Sequence, residues 1–180
     1  MNESINHVEY VVEQKAEGKN RTLRILLIAG YVLFGLAYFF FFTVKLKIVM
    51  LISLLPLFIW MLVFFTWRFA SVEHEYQIVS GTIIFSDIYG NRTRKKKFEY
   101  KIKDMLCIAP MDRTHESDYS RAVLIHDFRG SVKSPDSYYF TYKDEAGKTC
   151  AVYFEATSRT LKSFRYYNST ATVMSTSLRY

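Results

Sequence analysis

Two long apolar stretches separated by two lysines constrain this chain more than any other feature. Residues 25–44 and 48–67 each supply about 20 residues, the length of helix that crosses the roughly 30 Å hydrocarbon core of a bilayer. One continuous helix would place Lys45 and Lys47 near the membrane centre, where each lysine costs roughly 2.5–3.5 kcal/mol. At an interface the lysine side chains reach water. The sequence therefore predicts a transmembrane helical hairpin over residues 25–68.

The two predicted spans contain no Asp, Glu, Lys, Arg or His. This composition argues against a proton relay, an ion pathway or an intramembrane enzyme site. Gly30 and Gly35 allow another helix to approach closely, and two explanations stay open for them: packing of the two spans against each other, and self-association of the chain. Pro56 falls inside the second predicted helix and is expected to kink it.

Basic residues flank the hairpin unevenly. Four precede the first span and one follows the second, whereas two lie in the turn (Lys15, Lys19, Arg21 and Arg24; Arg68; Lys45 and Lys47). The positive-inside rule then places both termini in the cytoplasm and the protein in the cell membrane as a two-span integral protein. A cleaved signal peptide is not expected, because the first apolar run follows a polar lead and is too long.

The rest of the chain is basic. The formal net charge of the 180 residues is +7, and the excess lies in the turn lysines, in Arg68 and in the region after the hairpin. A basic surface beside a bilayer suits anionic lipid headgroups, and we do not expect a nucleic-acid partner. Cys107 and Cys150 are too few for a disulfide framework and are expected to be reduced thiols in the core.

The region after the hairpin has the residue pattern of β-strands. Strands are predicted at 73–79, 82–89, 94–102, 105–109, 122–128, 137–143 and 149–155, with a polar loop at 111–121. Ser80-Gly81 between the first two is typical of a tight hairpin turn. A final helix is predicted with Ser158 as its N-cap and with Leu161 and Phe164 on its apolar face.

The two ends of the chain are polar. An apolar patch at residues 8–12 is compatible with a short strand or with one turn of helix. Serine and threonine dominate after residue 168, which predicts a disordered tail. The predicted organisation is thus a polar segment at 1–24, the hairpin at 25–68, a β domain at 69–168 and a tail at 169–180.

About seven strands followed by one amphipathic helix resemble the pleckstrin-homology (PH) fold, a partly open barrel closed by a C-terminal helix. More narrowly, VEHEYQIVSGTIIFSDIYGNRTRKKKFEYKIKDMLCI resembles the opening of the PH-like domains that follow transmembrane hairpins in small bacterial membrane proteins. The resemblance implies an α+β protein, with a mainly-β PH-like domain after the hairpin. It implies a fold and not a particular ligand.

One basic cluster is a candidate binding site: Arg92, Arg94, Lys95, Lys96 and Lys97. The cluster resembles the basic hairpin with an Arg-x-Arg element that phosphoinositide-binding PH domains use. Each such cation beside an anionic leaflet contributes about 1 kcal/mol. Three interpretations stay open: a solvated edge strand that resists strand pairing, a lipid-binding surface, and a surface for an acidic protein partner.

No residue pattern indicates chemistry. The four histidines are scattered, and none has metal-ligand spacing with cysteine or a carboxylate, so no metal site and no cofactor are expected (His7, His74, His115 and His126). The loop group His115, Glu116 and Asp118 is better explained as solvated than as catalytic. No nucleotide-binding or nucleophile motif is present, and no catalytic residue is assigned.

We therefore expect a non-enzymatic, membrane-anchored PH-like module. It would present a basic cytoplasmic surface to anionic lipid headgroups or to a protein partner. The alternative is a structural subunit of a larger membrane complex, in which the hairpin contacts other proteins or further copies of the chain.

Overall fold

The computed structural model describes residues 7–90 and 92–174. The chain divides into two units. The hairpin unit consists of Lys15–Val72 and Tyr89–Thr93, and the β unit contains the remaining described residues.

The hairpin unit contains two apolar helical segments. Helix α1 (Gly18–Phe40) continues as a π-helical turn over Phe41–Lys45. The second segment consists of a 3-10 helix (Val49–Leu54), helix α2 (Leu55–Thr66) and a short 3-10 turn (Trp67–Phe69). By length and composition, Gly18–Lys45 and Met50–Phe69 are both able to span a membrane. The predicted helical hairpin is confirmed, although its first helix begins at Gly18 rather than at residue 25.

Side-chain contacts join the two segments along their length. The hydroxyls of Tyr31 and Thr66 lie 2.6 Å apart, and the Tyr38 hydroxyl donates to the Leu51 carbonyl at 2.9 Å. The Arg24 guanidinium donates to the Ala70 carbonyl at 3.2 Å. Internal partners of this kind satisfy polar groups that would otherwise face hydrocarbon.

The two glycines of α1 differ in their surroundings. A Cβ on Gly35 would lie 3.6 Å from the Ile59 side chain, so Gly35 belongs to the contact between the two segments. A Cβ on Gly30 would meet no described atom within 4 Å. Packing within the hairpin therefore explains Gly35, whereas self-association stays open for Gly30.

Pro56 lies in the first turn of α2. The second span changes from 3-10 helix to α-helix at this point, so Pro56 stands at the start of α2 and inside the longer helical segment. A kink at Pro56 stays a prediction.

Within the described residues, eight strands form two four-stranded sheets. The first sheet has the order β1-β2-β3-β4, with β1 (His7–Glu13), β2 (Val72–Val79), β3 (Thr82–Tyr89) and β4 (Thr93–Lys101). The second has the order β5-β7-β8-β6, with β5 (Cys107–Pro110), β6 (Leu124–Asp127), β7 (Ser137–Lys143) and β8 (Thr149–Glu155). The α+β class and the seven predicted strands are confirmed, and the described strands form no closed barrel.

The apolar patch near the N-terminus is a strand. Strand β1 pairs with β2 in antiparallel register, with Val8 opposite Ile78 and Val12 opposite His74. The first part of the predicted 1–24 segment thus belongs to the β unit. At the other end of β2, Ser80 and Gly81 have φ values of 49° and 80°, the left-handed pair that a tight hairpin turn requires.

Aromatic side chains fill the core between the sheets. Phe85 is fully buried, and its ring centroid lies 4.7–6.2 Å from the rings of four other residues (Tyr76, Phe128, Phe140 and Phe154). Helix α4 (Ser158–Tyr167) packs on this core through Leu161 and Phe164, both completely buried. Its N-cap is Thr157 rather than the predicted Ser158, because the Thr157 hydroxyl accepts a hydrogen bond from the Thr160 N–H.

Two segments are more ordered than their composition suggests. The predicted polar loop at 111–121 contains helix α3 (Glu116–Ser120), whose Tyr119 packs on Tyr139 and Tyr153 of the second sheet. The predicted disordered tail begins too early, because residues 169–174 run beside β5. There the Ile108 N–H donates to the Ala171 carbonyl, and the Val173 N–H donates to the Ile108 carbonyl, each at 2.8 Å. Residues 175–180 lie outside the described part of the chain.

Candidate functional site

The five predicted site residues divide between the two units. Arg92 belongs to the hairpin unit, whereas Arg94, Lys95, Lys96 and Lys97 belong to the β unit. Their surroundings determine which of their charges can attract an external ligand.

Arg94 neutralises a buried carboxylate. It donates to Glu75 of β2 at 2.6 Å, and Glu9 of β1 lies 3.9 Å away. The Glu75 side chain is fully buried, whereas that of Arg94 is 56 % exposed. Burial raises the pKa of Glu75 above its ordinary value, and the neighbouring Glu9 adds to this rise against the opposing charge of Arg94. Arg94 therefore offsets part of the cost of burying this carboxyl group.

The raised pKa of Glu75 predicts a change of stability with pH. Because the folded-state pKa exceeds the usual value of 4.5, the contribution of this carboxyl group is complete below pH 4.5 and is lost as pH rises through the folded-state pKa. Glu75→Gln removes the ionisation, so we expect a stability gain of about 1 kcal/mol at pH 7 and a flatter pH profile. Urea unfolding of the full chain at several pH values measures both.

Glu9→Gln is the matched control for this prediction, since the Glu9 side chain is 45 % exposed. We expect it to change stability by less than about 0.5 kcal/mol. If Glu75→Gln lowered stability at every pH, the carboxylate would be a net stabilising partner of Arg94 and the prediction would be wrong.

Lys97, at the surface, completes a network with the buried side chains of Asp87 and His74. Its ammonium lies 3.2 Å from one Asp87 oxygen, and the His74 ring nitrogen Nδ1 lies 2.8 Å from the other. Burial alone would raise the pKa of Asp87, but the hydrogen bonds and charges of His74 and Lys97 outweigh it and lower that pKa. Lys97 therefore also has a structural partner.

Lys96 has a carboxylate partner, whereas Lys95 has no ion pair among the described residues. Lys96 forms an ion pair with Glu99 on the same strand. Lys95 is exposed and has no ion pair within residues 7–90 and 92–174. Of the four predicted site residues on β4, Lys95 is thus the one whose charge no described carboxylate neutralises.

Arg92 lies over an aromatic ring near the end of the second span. Its guanidinium carbon is 4.4 Å from the centroid of the Phe64 ring, and that of Arg68 is 4.8 Å from the Phe69 ring. Gly90 brings this turn close to the helix end: its N–H donates to the Ser71 carbonyl at 2.9 Å, and a Cβ at this position would lie 2.8 Å from the Arg68 Cβ. Only glycine permits so close an approach.

These residues surround a cavity of about 490 Å³ in the hairpin unit. Four aromatic side chains and two arginines line most of it (Trp60, Phe64, Phe65, Trp67, Arg68 and Arg92). From the sequence, Arg68 contributes to the orientation and to the excess positive charge, and nothing connects it with Arg92. The cluster of aromatic residues before Arg68 was the available signal, since such residues concentrate at membrane interfaces.

The whole architecture can be compared with known protein families. Residues 5–174 match the family described as bacterial PH-like domain (DUF6106). The chain belongs to this family. The match includes the hairpin as well as the β unit, so both parts of this PH-like protein are family features. Searches of curated proteins and of solved structures gave no match.

Membership confirms the resemblance read from the sequence and supports a membrane-associated or interaction module. Elsewhere in this PH-like protein, the partner of His115 is Asp112, at 2.7 Å, rather than Glu116 or Asp118, its neighbours in the predicted loop group. Within the described residues, no group of three or more His, Cys, Asp or Glu side chains is placed to hold a metal ion. Cys107 and Cys150 are free thiols.

Proposed function

We propose that this PH-like protein is a non-enzymatic, membrane-anchored module that contacts anionic lipid headgroups through its basic residues. Both termini would lie on the cytoplasmic side of the cell membrane, in agreement with the basic residues that flank the hairpin. The observation that carries the proposal is the contact between Arg92 and the Phe64 ring.

Phe64 lies in the last turns of the candidate span Met50–Phe69. A guanidinium over this ring belongs at the level of the headgroups, where arginine reaches water or phosphate. Strand β4 begins with the next residue, Thr93. Lys95 follows Arg92 by three positions, which is at most about 11 Å of extended chain. This is close to the Debye length of roughly 8 Å at physiological ionic strength.

The expected binding energy is small. Arg92, Lys95 and Arg68 would contribute about 1 kcal/mol each, whereas the carboxylate-paired cations of β4 contribute less. About 3 kcal/mol corresponds to an affinity weaker than millimolar for a free domain. The hairpin removes this difficulty because it holds the domain at the bilayer, where the effective concentration of headgroups is high. Weak contacts then suffice to orient the domain on the membrane.

Lysine acylation of the full chain in lipid nanodiscs tests the proposal. We expect Lys95 to react several-fold more slowly when phosphatidylglycerol is mixed into phosphatidylcholine, because headgroup phosphates would pair with its ammonium. High salt should restore its reactivity, since the Debye length falls to about 3 Å at 1 M. Lys148, exposed in the turn between β7 and β8, is the internal control. A ratio of Lys95 to Lys148 reactivity that does not depend on lipid would contradict the proposal.

A second role is favoured by Gly30. Because no described side chain covers this glycine, the α1 surface around it can receive another helix of similar shape. The protein would then be a structural subunit of a larger membrane complex, or would associate with itself through the hairpin. Chemical crosslinking in native membranes that captured only the monomer would count against this role.

A further inference from the structure

The cavity in the hairpin unit has the composition of a lipid site. Its volume of about 490 Å³ falls in the range of ligand pockets, roughly 300–1,000 Å³. Aromatic rings form one part of its wall, and Arg68 and Arg92 supply two positive charges. None of its described lining residues is acidic. An apolar wall with two cations and no anion suits a ligand that is itself apolar at one end and anionic at the other.

The two guanidiniums are held in place without losing their donors. Each lies over an aromatic ring, Arg68 over Phe69 and Arg92 over Phe64. A cation–π contact consumes no N–H donor of the guanidinium. Within the described residues, neither arginine forms an ion pair with a carboxylate. Both therefore keep donors for an oxyanion.

We propose that this cavity binds one anionic phospholipid of the surrounding bilayer. Arg68 and Arg92 would bind the phosphate oxygens, with which arginine forms paired, charge-assisted hydrogen bonds. An acyl chain would lie along the aromatic wall that includes Trp60 and Phe64. The inference rests on the proposed function, because it places this end of the hairpin at the headgroup level. It goes further in naming a single bound lipid, in addition to a general attraction to the leaflet.

Tryptophan fluorescence reports directly on this cavity. Trp60 and Trp67 both line it and are the two tryptophans of the chain. Brominated acyl chains quench a tryptophan only in contact, so the full chain would be reconstituted in two matched mixtures. In one mixture phosphatidylglycerol carries the bromine, and in the other phosphatidylcholine does. We expect a relative association constant that favours phosphatidylglycerol by about tenfold, close to the effect of one added charge contact.

Charge variants identify the residues responsible. The double variant Arg68→Gln/Arg92→Gln should abolish the preference, so that phosphatidylglycerol and phosphatidylcholine have about equal association constants. The matched control Lys45→Gln/Lys47→Gln removes the same charge from the hairpin turn and should keep the preference. If the glutamine variant does not fold, Arg68→Lys/Arg92→Lys keeps both charges and removes the planar fork, so we expect an intermediate preference. Inorganic phosphate added in solution should not compete, because it has no acyl chain for the aromatic wall.

Four results would overturn the inference: no phosphatidylglycerol preference in the wild type, a full preference in the glutamine variant, loss of the preference in the turn-lysine control, or displacement by inorganic phosphate. Failure of the cavity and failure of the proposed function are distinguishable. If Lys95 is still protected in phosphatidylglycerol nanodiscs while the tryptophans show no preference, the cavity assignment alone is wrong. If Lys95 is not protected either, the proposed function is wrong as well.

Discussion

Asp87→Asn is expected to lower the free energy of unfolding of the PH-like domain by about 3 kcal/mol. Only 10 % of the Asp87 side chain is exposed, and its carboxylate contacts both His74 and Lys97. Asparagine keeps the size but removes the charge that compensates Lys97, and one of its two polar atoms becomes a donor. The substitution therefore leaves a partly buried ammonium without a counter-charge. Pulse proteolysis of the full chain across a urea series measures the loss.

The acid dependence of this network has a defined sign. Because the pKa of Asp87 is lowered from its usual 3.8, its contribution is present above pH 3.8 and is lost as pH falls through the folded-state pKa. Asp87→Asn should remove this acid sensitivity. Glu99→Gln is the matched control, since it breaks the exposed ion pair with Lys96 on the same strand and should cost less than about 1 kcal/mol. If both variants lowered the free energy of unfolding equally, the Asp87 network would stabilise the domain no more than the exposed Lys96–Glu99 ion pair does, and the prediction would be wrong.

Gly130→Ala is expected to lower the stability of the domain by about 3 kcal/mol. A Cβ at residue 130 would lie 2.6 Å from the carbonyl oxygen of Glu13 and would overlap the Val12 side chain, both on β1. A backbone oxygen within a paired strand cannot move without disturbing the strand. The Gly130 N–H also donates to the Glu155 carboxylate at 2.9 Å, so the loop cannot simply move away. Urea unfolding of the full chain measures the effect.

Gly147→Ala separates crowding from conformational strain. Gly147 has φ of +75°, but a Cβ there would meet no described atom within 4 Å. Gly147→Ala should thus lower the free energy of unfolding by about 1 kcal/mol, the cost of placing an alanine in the left-handed region. If Gly130→Ala cost no more than Gly147→Ala, the contact between the loop and β1 would be looser than the structure shows.

The sequence predicted the elements whose signals are local. The hairpin follows from the length of the apolar runs, and the strands after it follow from alternation within each segment. Strand β1 was left open because the apolar residues at 8–12 fit more than one period, and its pairing partner β2 lies beyond the hairpin. Residues 169–174 were predicted to be disordered because their composition is polar. Their order comes from hydrogen bonds to Ile108, which no local pattern reveals.

The candidate site depends even more on contacts between residues that are distant in sequence, which local patterns do not predict. The basic run was read as one surface because its residues are adjacent in sequence. Carboxylates on other strands, Glu75 and Asp87, neutralise Arg94 and Lys97, and these pairings depend on sheet register. Arg68 and Arg92 are far apart in sequence and line one cavity only because the turn after β3 folds back to the helix end. Charge counting found the basic residues, but only the fold shows which of them keep a free charge.

The most direct test of membrane contact by this PH-like protein uses the unaltered chain in native membranes. A phosphatidylglycerol with a photoreactive headgroup would be incorporated, activated, and its adducts mapped by mass spectrometry. If β4 lies at the headgroups as proposed, adducts will concentrate in the segment from Arg92 through β4, and residues 144–148 of the turn between β7 and β8 will carry few. Adducts that are absent from β4, or equally frequent at 144–148, would contradict the proposal.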